Sequence, residues 1–359
     1  QIQRAQLRLV GSGYFDSAFI YVDPASDPEA APVQVNLREA PLHRVVLGVG
    51  LSTDSGPRGS VEYTHNRLPG IGWRAVTKLQ VERKSPFLQT ELSAIPGEDG
   101  WRWGVSARLE RLDDGTLVTT GQRLRVGRTK SDERIDRNVY LQYDRANVQA
   151  AAGAPPPEDT GDGAALSANY IWNGRYFDRI PYPTTGFNVG AELGGGVTLT
   201  GQRSPFQRTV LRWLEIQPVG RGRIQWRAEG GAVLASSSAR VPATQLFRTG
   251  GDTTVRGYGL REIGAERVNG VVVPGRYLAV GSIEYQKPIR RNGVATPLEG
   301  VVFVDAGAVA NRASDLRPSV GVGGGVRFRS PLGPLQVDLA YGVQVQRFRL
   351  HINLGTTFF

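Results

Sequence analysis

"WRWGVSARLER", residues 101–111, decides how the rest of the chain is read. Trp101, Trp103, Val105, Ala107 and Leu109 take every second position, and Arg102, Gly104, Ser106, Arg108 and Glu110 take those between. A period of two places alternate side chains on opposite faces of a strand, so this strand has one apolar and one polar face. Its length of about ten residues is what a tilted strand needs to cross a bilayer. The same alternation returns in "WRAVTKLQVER" (73–83), "GRIQWRAEGGAVL" (222–234), "LQVDLAYGVQV" (335–345) and "RFRLHINLGTTF" (347–358). Sixteen runs of this kind are expected, at 43–52, 58–66, 73–84, 86–95, 101–112, 116–128, 134–146, 164–175, 186–198, 206–218, 222–235, 276–288, 298–310, 319–329, 334–345 and 347–359. An even count suits a closed antiparallel bacterial barrel. Two connections are long, the Pro- and Gly-rich 147–163 and the stretch 236–275.

The period alone does not say whether the apolar face meets a core or lipid. Three features favour lipid. The polar face is heavily charged, as a wet lumen would be. Trp73, Trp101, Trp103, Tyr182, Phe187, Phe206, Tyr277 and Phe358 sit towards strand ends, as interfacial girdles do. The final run ends at the chain terminus in Phe359. No run of 18 apolar residues offers a transmembrane helix. The fold expected is therefore an all-β, 16-stranded antiparallel transmembrane barrel over 41–359. Residues 1–40 differ: a helical pattern (Ile2, Gln6, Leu7, Leu9, Val10) ended by Gly11 and Gly13, then short strands near 17–23 and 32–38. These make a small α/β fragment, too little to close a core alone.

Composition narrows the function. Lys and Arg number 43 against 33 Asp and Glu, a net charge of +10, but they are spread along the chain without a cluster of the nucleic-acid type. Cys is absent, which removes disulfides and thiolate chemistry. Met is also absent, so the chain reads as a processed or trimmed product lacking its initiator. His43, His65 and His351 are scattered without ligand spacing, so no metal is expected. No G-x-S-x-G elbow is present. "GVGGGV" (321–326) lies in a strand pattern and opens no helix, so it is not a phosphate loop. Asp113 and Asp114 read as hairpin chemistry. No enzyme site and no cofactor are expected.

The remaining motif is "FRTGGDTTVRGYGL", residues 247–260, between the eleventh and twelfth runs. It resembles the sixth extracellular loop of the outer-membrane assembly and two-partner-secretion superfamily, with its Val-Arg-Gly-Phe/Tyr core at Val255, Arg256, Gly257 and Tyr258. Gly250, Gly251 and Asp252 ahead of it look most like the TamA branch, the outer-membrane subunit of the translocation and assembly module. "RSPLGPLQVDLAY" (329–341), "DRIPYPTTGFNV" (178–189) and "SGYFDSAF" (12–19) resemble further family segments. The resemblance implies that residues 1–40 are the C-terminal part of a last POTRA domain, the rest of it truncated. It implies that the loop 236–275 folds into the lumen, with Arg256 meeting Glu284 and Asp305 on the wall. It implies an integral outer-membrane protein of a Gram-negative bacterium, acting as a monomer in the lipid bilayer. Its partners would be unfolded β-barrel or autotransporter clients and an inner-membrane-anchored, TamB-like periplasmic protein. Clients would insert through a lateral seam between the first and last runs, where Gly48, Gly50, Leu354, Gly355, Phe358 and Phe359 lie; the glycines would weaken it. A two-partner-secretion transporter exporting through the lumen, a BamA-type insertase and a passive porin are the rival readings.

Overall fold

The computed structural model describes residues 2–22, 27, 30–150, 160–179, 183–330 and 333–354. A helix α1 (Ile2–Gly11) leads into a two-stranded sheet, β1 (Phe15–Val22) with β2 (Val33–Glu39). This unit touches the following domain through Arg8 Nη2, which donates to the Glu98 carbonyl at 3.0 Å, and Tyr14 Oη, which donates to that of Gly72 at 3.2 Å.

Sixteen strands then close into a barrel. They are β3 (His43–Ser52), β4 (Gly56–His65), β5 (Arg74–Glu82), β6 (Phe87–Ser93), β7 (Arg102–Asp113), β8 (Leu117–Ser131), β9 (Ile135–Ala150), β10 (Gly163–Phe177), β11 (Gly186–Thr198), β12 (Pro205–Val219), β13 (Gly222–Ala235), β16 (Tyr277–Arg291), β17 (Val294–Ala310), β18 (Ser319–Ser330), β19 (Gly333–Gly342) and β20 (Arg347–Leu354). Each pairs antiparallel with the next, and β20 returns to β3. A hairpin, β14 (Glu266–Val268) with β15 (Val271–Val273), lies inside the long connection from β13 to β16.

The faces are arranged for lipid. On β7, Trp103 and Leu109 are each 53% exposed, while Arg108 and Glu110 point inward and pair at 2.7 Å. Val126, Leu141, Leu211, Val302 and Leu350 are likewise exposed, while Gln142, Asp144, Glu284, Asp305 and Asp338 are buried. A water-soluble protein inverts that distribution. Charged groups on the inner face neutralise one another: Arg123 with Asp144 (3.0 Å), Arg208 with Glu192 (2.6 Å), Arg223 with Glu299 (2.6 Å). Among the described residues no helix is long and apolar enough to cross a membrane; the crossing is made by strands.

Several expectations are corrected. Phe206 is not in an interfacial girdle: it is buried in an apolar cluster inside the barrel with Val210, Val233, Phe247, Leu278 and Val280. The lumen is thus dry at this level, because the β13–β16 connection fills it with its own apolar side chains. β19 stops at Gly342 rather than continuing through Val345, and Gln346 takes a left-handed φ of 51° in the turn that follows. β16 and β17 run further than expected, to a two-residue Asn292-Gly293 turn with φ of 51° and 78°. Asn269-Gly270 closes the β14–β15 hairpin the same way, with φ of 50° and 83°. Asn-Gly favours the type I′ turn that suits strand twist. Tyr182, Gly355, Phe358 and Phe359 lie outside the described residues.

Candidate functional site

The connection between β13 and β16 leaves from the rim opposite α1, β1 and β2, the rim that also carries the β3–β4 and β7–β8 turns. It is tied to the wall along its path. Gln245 Nε2 donates to Asp144 Oδ2 (2.6 Å), and its carbonyl accepts from Arg208 Nε (3.0 Å). Arg248 pairs with Asp114 in the β7–β8 turn. Burial lowers the pKa of Arg248, and the Asp114 carboxylate opposes that shift.

The centre of the arrangement is Arg256, which is 5% exposed. Its Nε donates to Asp305 Oδ2 at 2.7 Å and its Nη2 to Asp305 Oδ1 at 2.9 Å, a bidentate pairing. Nη1 donates to Glu284 Oε2 at 2.6 Å and to Asp338 Oδ2 at 3.1 Å. The guanidinium carbon sits 3.3 Å from the ring centroid of Phe303. The carboxylates have further partners. Ser282 Oγ donates to Asp305 (2.6 Å), Gln286 Nε2 to Glu284 (2.6 Å), and Arg327 to both Glu284 (3.1 Å) and Asp338 (2.9 Å). Arg227, on β13, donates to the carbonyls of Thr253 and Thr254. Three arginines (227, 256, 327) thus accompany three carboxylates (284, 305, 338). Burial alone would lower the Arg256 pKa; the Asp305 hydrogen bonds and the three carboxylate charges outweigh it and hold it above its ordinary value.

Asp338 and Arg327 were not expected as partners. Asp338 showed itself only as a polar position on an alternating strand, and Arg327 only as a cation following a glycine run. Val255 is fully buried in the apolar cluster, and Tyr258 Oη donates to Gln344 Oε1 at 2.6 Å. Gly250 and Gly251 carry φ of 106° and 116°. Gly257 has φ of 93°, and a Cβ there would lie 2.7 Å from the Gly342 nitrogen. On the wall, a Cβ at Gly321 would lie 1.8 Å from the Arg256 carbonyl oxygen. Gly321→Ala should therefore lift the motif off β18, at a cost of about 1–3 kcal/mol for an overpacked contact. The chain lacks cysteine, so a single Thr253→Cys reports on it: alkylation should be faster in the Gly321→Ala background than without it.

The same loop reaches the junction of β20 with β3. Among the described residues that junction has two register pairs, Asn353↔Ser52 and Leu354↔Leu51, whereas β3 and β4 have ten. Asp252 spans it: its Oδ2 accepts from Ser52 Oγ at 2.8 Å on one side and from Asn353 Nδ2 at 3.3 Å on the other. The Asp252 N–H donates to Asp54 Oδ2 (2.6 Å), and the Gly257 N–H donates to His351 Nε2 (2.9 Å). Among the described residues, Asp54 Oδ1, His351 Nδ1 and Asn353 Oδ1 have no hydrogen-bond partner, and Asp54 Oδ1 has only the distant Arg349 guanidinium at 3.6 Å. Each such atom costs about 1–3 kcal/mol when buried, so the loop is held firmly by β16–β19 and loosely at the junction. Gly48 and Gly50 leave room for Ser60 and Arg58, whose atoms would lie 2.5 and 2.9 Å from added Cβ atoms.

Burial raises the carboxyl pKa of both Asp54 and Asp252, and the Asp54 charge raises Asp252 further. Arg349, Lys84 and the Asp252 hydrogen bonds act against the rise at Asp54; Ser52 and His351 act against it at Asp252. A carboxyl raised in the folded state favours the protonated form there. Its stabilisation is full below the ordinary value of 3.8 and is lost as pH rises through the raised value. A spin label at Thr253 should accordingly become less mobile as pH falls from neutral towards that range; unchanged mobility contradicts the shift.

A closed wall of sixteen strands, apolar outside and plugged by a charged loop, defines an outer-membrane-type transmembrane barrel. The model of the Omp85 superfamily domain matches residues 43–358, and the chain belongs to that superfamily. Its members are protein transporters and assembly factors, and this chain is an integral outer-membrane protein of a Gram-negative bacterium. It is 25% identical over 368 residues to the outer membrane protein assembly factor BamA of Nitratidesulfovibrio vulgaris, covering 97% of this chain and 45% of that one. The chain thus spans a little under half of that relative. Among solved structures it superposes on BamA from Haemophilus ducreyi lacking POTRA domains 1–3, with a TM-score of 0.73 at 19% identity over 99% of this chain and 78% of that one. It also superposes on CdiB from Acinetobacter baumannii, with a TM-score of 0.60 at 14% identity over 95% and 66%.

Proposed function

We propose that this barrel is an outer-membrane protein assembly factor that inserts β-barrel clients through the junction of β20 and β3. One observation supports the reading: among the described residues the junction has two register pairs and one further backbone bond, from the Thr53 N–H to the Ile352 carbonyl, and is bridged by Asp252, whereas the β3–β4 boundary has ten register pairs. Parting it exposes the edge of β3, whose unpaired N–H and C=O groups template an incoming strand. The loop stays anchored through Arg256 while the bridge at Asp252 is released. Residues 1–40 act as the C-terminal part of a last POTRA domain at the opposite rim. The Gly250-Gly251-Asp252 triplet favours the TamA branch, hence autotransporter clients and an inner-membrane-anchored, TamB-like partner, with the barrel working as a monomer. The relative at 25% identity favours a BamA-type insertase as the second form of the same mechanism.

The test is reconstitution in lipid vesicles with an unfolded autotransporter barrel, scored by protease-protected, heat-modifiable client. Client should fold faster with the protein than in empty vesicles, and bilayer conductance should show brief openings only. A persistent wide pore with no gain in client folding would assign the barrel to polypeptide export instead.

A further inference from the structure

Two cavities open to the outside of the barrel on the same few strands. The first, about 560 Å³, lies towards the rim bearing the N-terminal unit and is lined by Arg221, Tyr285, Lys287, Arg290, Gly300 and Val302 among others. The second, about 480 Å³, is lined chiefly by Trp213, Trp226, Ala228, Gly281, Ile283 and Val304. Register makes them continuous. Lys287, Tyr285, Ile283 and Gly281 alternate along one face of β16, and oppose Gly300, Val302, Val304 and Ala306 on β17. On the other side Trp226 and Ala228 of β13 oppose Ile283 and Gly281. The floor is made of small residues, and a Cβ at Gly281 or Gly300 would meet nothing within 4 Å.

The charges differ from those in the lumen. Inward arginines such as Arg208 and Arg223 are paired with carboxylates. The side chains of Arg221, Lys287 and Arg290 have no ion-pair or hydrogen-bond partner among the described residues, and no carboxylate lines the first cavity. Glu215, on the β12 side of the second, already accepts from Gln217 Nε2 (2.6 Å) and Trp213 Nε1 (3.3 Å). Three uncompensated cations at a membrane rim, opening into an apolar groove, match a molecule with an anionic head and a hydrocarbon tail. The dimension also fits. From Lys287 to Gly281 the strand rises about 20 Å, which at a tilt near 45° is about 14 Å of depth, close to half of a ~30 Å hydrocarbon core.

We propose that the outer wall of β13, β16 and β17 holds a site for one anionic phospholipid. The phosphate lies among Arg221, Lys287 and Arg290, beside the Tyr285 hydroxyl, and an acyl chain lies in the groove over Gly300 and Gly281 between Trp226 and Val304. The inference does not depend on the assembly reading.

Native mass spectrometry of the detergent-solubilised protein tests it, with phosphatidylglycerol as probe, phosphatidylcholine as control and inorganic phosphate as competitor. One phosphatidylglycerol should be retained per barrel in preference to phosphatidylcholine. A basic side chain near an anionic surface is worth roughly fivefold in affinity, so Arg221→Ala/Lys287→Ala/Arg290→Ala should weaken retention by about a hundredfold. Arg83→Ala/Arg312→Ala, which removes charge at the other rim, should leave it unchanged. Gly281→Leu fills open space and should weaken phosphatidylglycerol binding without affecting inorganic phosphate. Heat-modifiable migration checks that each variant is folded. Equal retention of the two lipids, or no loss in the triple variant, overturns the proposal. So does displacement by inorganic phosphate together with indifference to Gly281→Leu, which would leave a free-phosphate site.

Discussion

Arg256→Ala frees the lumen loop while leaving the barrel wall standing. The substitution leaves Glu284 and Asp338 with Arg327 as their remaining ion-pair partner and leaves the buried Asp305 without one among the described residues. Removing one partner of a buried ion pair costs about 3–5 kcal/mol, because the desolvated charge left behind is uncompensated. The strand ladders on either side do not use the guanidinium, so the loss falls on the loop. Single-cysteine alkylation at Thr253 should rise by two to three orders of magnitude, the factor that such an energy implies at 1.4 kcal/mol per decade. Arg256→Lys should rescue little of it. An ammonium cannot reproduce the fork on Asp305 while also reaching Glu284 and Asp338. Glu284→Gln should be milder, since Asp305 and Asp338 still hold the guanidinium. Alkylation of Thr253→Cys at the same rate with and without Arg256 would mean that the cluster does not anchor the loop.

The second large effect is expected from locking the junction. Leu51 and Leu354 are register partners across it, and Leu51 is exposed on the outer face. Directly opposed residues in an antiparallel pair have Cα atoms about 4.5–5.5 Å apart, within the range a disulfide spans. With no native cysteine to compete, Leu51→Cys/Leu354→Cys should form one defined bridge. When oxidised, the protein should lose client insertion in vesicles entirely; reduction should restore it. A matched bridge between β10 and β11, at Leu166→Cys/Val197→Cys, should leave insertion unchanged. Full activity of the oxidised junction variant would remove lateral opening from the mechanism.

The wall of this barrel is legible in sequence because a strand between lipid and a polar lumen must alternate, and "WRWGVSARLER" does so from Trp101 through Glu110, with only Arg111 at the strand end breaking the apolar face. The sixteen runs and their order correspond to β3–β13 and β16–β20. The errors have physical reasons. Phe206, Val210 and Val233 are as apolar as lipid-facing residues, and composition does not say that a loop will pack against them from inside. The Asn-Gly pairs at 269–270 and 292–293 are turn signals to which alternation of apolar residues is blind. In the loop, the resemblance points to Arg256 and to Glu284 and Asp305 as its partners, and inward parity agrees with both. Asp338 and Arg327 come from strands distant in sequence, and one polar residue on an alternating strand does not say which lumen neighbour it meets. The bridge at Asp252 was hidden for the same reason. Ser52, Asp54, His351 and Asn353 are ordinary inward residues until closure of the barrel brings its two ends together.

The direct measurement of where a client meets the barrel is disulfide trapping between a client strand stalled during assembly and single cysteines placed around this protein. Cysteines at Leu47 and Val49 on β3, and at Leu350 on β20, should capture the client. Those at Leu141 on β9, on the outer wall away from the junction, and at Arg123 on the inner face of β8 should not. Capture at Arg123 with none at β3 or β20 would mean that the polypeptide passes through the lumen and that the wall does not open.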